Sequence, residues 1–148
     1  MKTNTITLTA FYLLCVCASA FAKLPPTKDR VVKPDPAAAE AATAFLSKID
    51  TRSYHSAYEQ LTPRVRPGGA SGEERVVSYL RTRREPLGSV LSRSLSRARF
   101  SKTIAGGPDG AYEFLDYETV FARKAHGIEV VTLTKESGHW EISGYHVF

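Results

Sequence analysis

Three runs of β-type residues, separated by glycine-rich turns, close this chain. Gly106-Gly107-Pro108-Asp109-Gly110 precedes residues 111–122, Ala125-His126-Gly127 precedes 128–135, and Glu136-Ser137-Gly138 precedes 139–148. Connections this short force neighbouring strands to run antiparallel, so residues 106–148 read as a β-meander. Upstream, residues 89–103 are rich in Ser and Arg but carry Leu91, Leu95 and Phe100. They read as a first, longest and most twisted strand, which makes a four-stranded antiparallel sheet.

The residues before the sheet have helical spacing. Asp35-Pro36 opens a helix, with Asp as N-cap and Pro in the first turn, where its missing N–H costs nothing. Ala38, Ala42, Phe45 and Ile49 then recur on one face. Asp50 offers a second cap, before a stripe of Tyr54, Ala57, Tyr58 and Leu61 that Thr62-Pro63 ends. Ser71 and Glu74 form a capping box ahead of Val76, Val77 and Leu80, and Pro86 stops that third helix. Helices first and strands after give an α+β domain, with about three helices packed on one face of the meander.

Residues 1–22 stand apart from the fold. Lys2 supplies a positive start, residues 6–16 are mostly apolar, and Ala20-Phe21-Ala22 is a small-x-small cleavage site. This pattern predicts a Sec-type signal peptide cut before Lys23, hence a secreted, periplasmic protein with no transmembrane segment once mature. Both cysteines, Cys15 and Cys17, lie inside that leader. The mature chain must therefore hold together without disulfides. Removing 22 of 148 residues leaves enough chain for one modest core and not for two domains. Residues 23–34, with Pro25, Pro26 and Pro34, read as a flexible tether, and 35–148 as the single domain.

Several motifs in order resemble a known family. They are Arg84-Glu85-Pro86-Leu87-Gly88, Ser92-Arg93, Pro108-Asp109-Gly110-Ala111-Tyr112, Tyr117-Glu118-Thr119-Val120-Phe121 with Lys124, Glu129-Val130-Val131-Thr132, and Trp140-Glu141-Ile142-Ser143-Gly144-Tyr145. Over residues 37–148 the chain resembles small secreted bacterial proteins catalogued as a domain of unknown function. That family is similar in plan to the nuclear-transport-factor-2-like, cystatin-like architecture. The resemblance implies a sheet wrapped as a cone around the helices and dimerisation through the sheet. It implies no activity and no catalytic residue. Tyr58 and Val77 stand where that family tends to carry Trp.

Enzymes of that architecture place Asp or His bases on the wall of a pocket between sheet and helices, which is an analogy of fold alone. If Ser137-Gly138 is a two-residue turn, Glu129 lies opposite His146. If Ala125-His126 forms the preceding turn, Glu129 also neighbours Lys124. Asp116, Glu118, Glu129 and His146 then share one face. They line a pocket and do acid–base work, or they pair with Arg93, Arg97 or Lys124 across the sheet. A one-residue slip in register would divide the set.

Other chemistries find less support. His55, His126 and His139 do not cluster at metal-ligand spacing, no serine sits in a nucleophile elbow, and the Gly106–Gly110 stretch lacks the Lys-Ser or Lys-Thr of a phosphate loop. No cofactor is expected. The net charge of +5, of which Lys2 accounts for one, is mild. Residues 75–102 gather seven arginines against Glu85 alone, but Tyr79 and Phe100 are their only aromatics. Bases would find no stacking platform, so nucleic acid is not expected as a partner. The expected function is a non-enzymatic module that binds a small ligand or an envelope protein. The alternatives are a cofactor-free hydratase or isomerase using a pocket carboxylate with His146, and a secreted partner-binding or inhibitory protein.

Overall fold

The computed structural model describes residues 30–148. The leader and residues 23–29 lie outside the described residues. The elements are β1 (Arg30–Val31), α1 (Pro36–Asp50), α2 (Tyr54–Tyr58), α3 (Ala70–Arg84), a 3-10 turn (Glu85–Leu87), β2 (Val90–Ser101), β3 (Tyr112–Phe121), β4 (Lys124–Thr134) and β5 (Glu141–Val147). Three helices thus precede a four-stranded antiparallel meander, as the turn spacing predicts. β1 adds a two-residue strand at the edge, pairing Arg30 with Phe100 and Val31 with Arg99. No helix among the described residues is long and apolar enough to cross a membrane.

Local signals explain α1. The Asp35 side chain accepts a hydrogen bond from the Ala37 N–H at 2.9 Å, and Pro36 fits the first turn. Ala38, Ala42, Phe45 and Ile49 are fully buried against Leu115, Val131, Leu133, Ile142 and Tyr145 of the sheet. α3 begins differently from the expected capping box. Its N-cap is Gly69, no side chain caps it, and the Gly72 and Glu73 N–H groups bond to the Gly69 carbonyl. Starting at Ala70 puts Ser71 inside the first turn, where it cannot act as a cap. Asp50 likewise ends α1 instead of capping α2, whose N-cap is Ser53.

The hairpin turns decide the register. β3 and β4 are joined by the two residues Ala122 and Arg123, so Phe121 pairs with Lys124. The turn expected at Ala125-His126 is strand instead, and Glu129 pairs with Tyr117 rather than lying beside Lys124. Between β4 and β5, Thr134↔Glu141 and Leu133↔Ile142 have the register of a turn centred on Ser137-Gly138. Ser143 is then an extra residue in β5. Beyond it Val130 faces His146 and Glu129 faces Val147, one place away from the expected Glu129–His146 pair.

A second bulge lies in β2. Leu95 pairs with Tyr117 and Arg97 with Asp116, leaving Ser96 as the extra residue. A bulge inserts one residue and so inverts which face later side chains occupy. Both bulge serines also bond across the strand pair. Ser96 Oγ donates to the Asp116 carbonyl at 3.0 Å and Ser143 Oγ to the Thr132 carbonyl at 3.3 Å. Each hydroxyl thus meets an acceptor where the ladder is interrupted.

Candidate functional site

The Ser96 bulge separates three arginines that strict alternation would place together. Before it, Arg93 pairs with Thr119 on the helix-covered face. After it, Arg97 and Arg99 pair with Asp116 and Phe114 on the other face. Two polar clusters result, one on each side of the sheet.

The inner cluster forms where β2, β3, β4 and β5 meet the end of α1. Arg93 Nε donates to Glu129 Oε2 at 2.7 Å. Its two terminal nitrogens grip Asp50 at 2.7 and 2.9 Å, a fork-to-carboxylate bond. Thr119 Oγ1 donates to Glu129 Oε2 and Tyr145 Oη to Glu129 Oε1, each at 2.6 Å. Arg84 Nη2 adds a 3.1 Å bond to Asp50, and its other terminal nitrogen donates to the Gly88 carbonyl.

The Arg84 guanidinium lies 4.7 Å over the Phe121 ring. Gly127 lets that ring sit close, since a Cβ there would be 2.5 Å from Phe121 Cε2. Two guanidiniums therefore balance two carboxylates. Glu129 is 0% exposed and Arg84 4%. Burial works against the charged form of Arg93, but hydrogen bonds to Asp50 and Glu129 outweigh it and leave its pKa raised. Burial first, then the charge of Glu129, pushes the Tyr145 hydroxyl up, so it stays a proton donor.

The outer cluster centres on Asp116, which is buried although it lies on the face without helices. Arg97 approaches it at 2.7 Å and Arg99 at 3.1 Å, and the Arg99 guanidinium stacks 4.7 Å over Phe114. Glu118 pairs with Ile128 across the strands and is exposed. His146 is exposed near the end of β5, with Nδ1 3.5 Å from the Tyr79 hydroxyl and its ring stacked on Phe148. Asp116, Glu118, Glu129 and His146 therefore do not converge. Glu129 joins Arg93 inside, Asp116 joins Arg97 and Arg99 outside, and His146 meets neither carboxylate.

Besides Arg84, which bonds Asp50, three members of the inner cluster escaped the sequence reading as site residues. Asp50 looked like a cap, Tyr145 like core, and Thr119 carried no signal. Their bonds to Arg93 or Glu129 span 43, 16 and 10 residues, separations at which no local spacing reports a contact.

A family model described as "Protein of unknown function (DUF4019)" matches residues 41–145. The chain belongs to this family. The match runs from within α1 to Tyr145 and so takes in the whole inner cluster. No curated protein and no solved structure matches the chain.

One carboxylate outside both clusters gives a pH prediction. Glu113 is buried and accepts from the Asp35 N–H at 3.0 Å. Burial raises its pKa, and the Asp35 N–H only partly offsets that. The folded state therefore holds this proton to higher pH than the unfolded chain, whose glutamate titrates near ~4.3. Its contribution to stability is complete below that value and declines as pH rises through the raised folded value. Glu113→Gln keeps an acceptor for Asp35 and carries no charge. It is expected to abolish that part of the decline and to leave the variant more stable than wild type at pH 7, measured by urea unfolding from pH 4 to 8.

Proposed function

We propose that this DUF4019 protein is a secreted, periplasmic, non-enzymatic module of cystatin-like architecture, which recognises a small ligand or an envelope protein through its surface. One observation supports this reading above the others: Glu129, the carboxylate of the inner cluster that faces the end of α1, is wholly buried and both its oxygens are occupied by Arg93, Thr119 and Tyr145. A general base must reach a substrate proton at hydrogen-bond distance. Glu129 has neither exposure nor a free oxygen for that, and the Asp116–His146 alternative lacks contact between its two partners. The polar interior serves the fold, which leaves recognition to the outside.

The test takes the protein from an envelope fraction. Its intact mass is expected to correspond to a chain starting at Lys23. Thermal-shift screening of that material against metabolites is expected to raise the melting midpoint with one chemical class. A ligand at a hundred times its Kd adds about 2.7 kcal/mol, and no product should appear by mass spectrometry. Chemical turnover of any stabilising compound would overturn the non-enzymatic reading, and retention of the leader would overturn the secreted one.

A further inference from the structure

Arg52, Arg81 and Arg123 come from three separate places in the chain. They follow α1, lie in the last turns of α3, and form the β3–β4 turn. Together they line one open cleft of about 420 Å³, completed by Thr82, Glu85 and Pro86. The side chains of Arg52 and Arg123 have no hydrogen-bond or ion-pair partner among the described residues. Arg81 is held loosely, 3.9 Å from Glu74 and 4.0 Å from Glu85. Three arginines thus line the cleft against one lining carboxylate, Glu85, with Glu74 reaching Arg81 from beside it, and positive charge is left in excess at Arg52 and Arg123.

Arg52 also occupies the left-handed region at φ 60°, where Gly or Asn is usual and another residue carries a backbone cost. The same turn could be made more cheaply by a residue without a guanidinium.

We propose that this cleft binds a dianionic phosphate group, either inorganic phosphate or a phosphomonoester. Arginine forks match phosphate oxygens two at a time, and a dianion neutralises the excess charge of the cleft. Pro86 gives an apolar wall to the organic part of an ester. The inference rests on the surface-recognition reading above and names the ligand class for it. The phosphate could be free or the headgroup of a lipid.

The test titrates the mature protein at fixed ionic strength with inorganic phosphate, with phenyl phosphate, and with phosphatidylcholine vesicles containing phosphatidic acid. Arg52→Asn keeps the left-handed turn and loses the guanidinium, and Arg123→Gln leaves the hairpin backbone intact. Each is expected to retain the melting midpoint and to weaken binding by about tenfold, the loss typical of one charged hydrogen-bonding partner. Saturable binding of the soluble probes identifies free phosphate as the source. Binding confined to vesicles identifies the lipid headgroup, and both require sensitivity to the two variants.

No binding in any arm, or binding unchanged in both variants, overturns the proposal. That failure leaves thermal-shift ligands of other chemistry untouched. Release of phosphate from phenyl phosphate would instead overturn the non-enzymatic reading while retaining the site.

Discussion

Glu129→Ala is expected to lower the free energy of unfolding by about 3–5 kcal/mol, the usual effect of removing one partner from a buried ion pair. The reason is what remains behind. Arg93 keeps Asp50 but loses the bond from its Nε, in a position where its side chain is 16% exposed. The hydroxyls of Thr119 and Tyr145 lose their acceptor inside the fold, and each orphaned polar group adds a desolvation cost of about 1–3 kcal/mol. A domain of this size has about 5–15 kcal/mol in total, so the variant is expected to unfold at a much lower urea concentration or to be recovered largely unfolded. Glu129→Gln keeps the shape and one acceptor, and should lose clearly less. A catalytic role predicts the reverse pattern, with both variants folded and inactive. Equal stability of Glu129→Ala and wild type by chemical denaturation would refute the structural role argued for this carboxylate.

Phe45→Ala comes next in size, at about 3–5 kcal/mol for truncating a buried aromatic. Phe45 is fully buried on α1 and meets the Tyr145 ring edge-on, with centroids 5.6 Å apart and planes at 65°. It is therefore one of the contacts through which the helix layer positions the hydroxyl that bonds Glu129. The loss should not be confined to packing, because a Tyr145 ring freed on one side holds the carboxylate less well. Combined with Glu129→Ala, it is expected to cost less than the two single losses together, with a coupling of about 0.5–3 kcal/mol. Urea unfolding of the four proteins in this cycle measures it. Strict additivity would mean that Tyr145 does not connect the two sites.

Residues whose partners are near in sequence were legible before the fold was known. Asp35 and Pro36 announce the start of α1, and the spacing of Ala38, Ala42, Phe45 and Ile49 gives its buried face, because a helix repeats within a few residues. The turn at Ser137-Gly138 correctly sets Leu133 opposite Ile142 and Thr134 opposite Glu141. Reading fails where the structure departs from regular repetition. Ser71 and Glu74 have the composition of a capping box, but the helix starts at Ala70 and leaves it unused. Ala125-His126-Gly127 looks like a turn and is strand, since Ala122 and Arg123 already close that hairpin.

The candidate site illustrates the same limit. Asp116, Glu118, Glu129 and His146 are visible as polar residues among the apolar ones of their strands, and Arg93 as one arginine of a Ser- and Arg-rich strand. Their grouping is not, because a strand side chain changes face with every residue. Ser96 and Ser143 resemble the other serines of the chain. Each nevertheless adds one residue to its strand and reassigns everything beyond it.

By itself, then, the sequence determined the order of the helices and the four meander strands, though not the edge strand β1 in the expected tether, the antiparallel meander, the buried stripe of α1 and the presence of charged residues within the sheet. These follow from local periods and short connections. The tertiary structure alone decided which charges meet. Arg93 joins Glu129 to Asp50 inside, while Asp116 is gripped by Arg97 and Arg99 outside. That outcome depends on breaks in strand register, those at Ser96 and Ser143 and the one between Thr119 and Phe121 among them, and on where the end of α1 docks, all set by long-range packing rather than by neighbours in the chain.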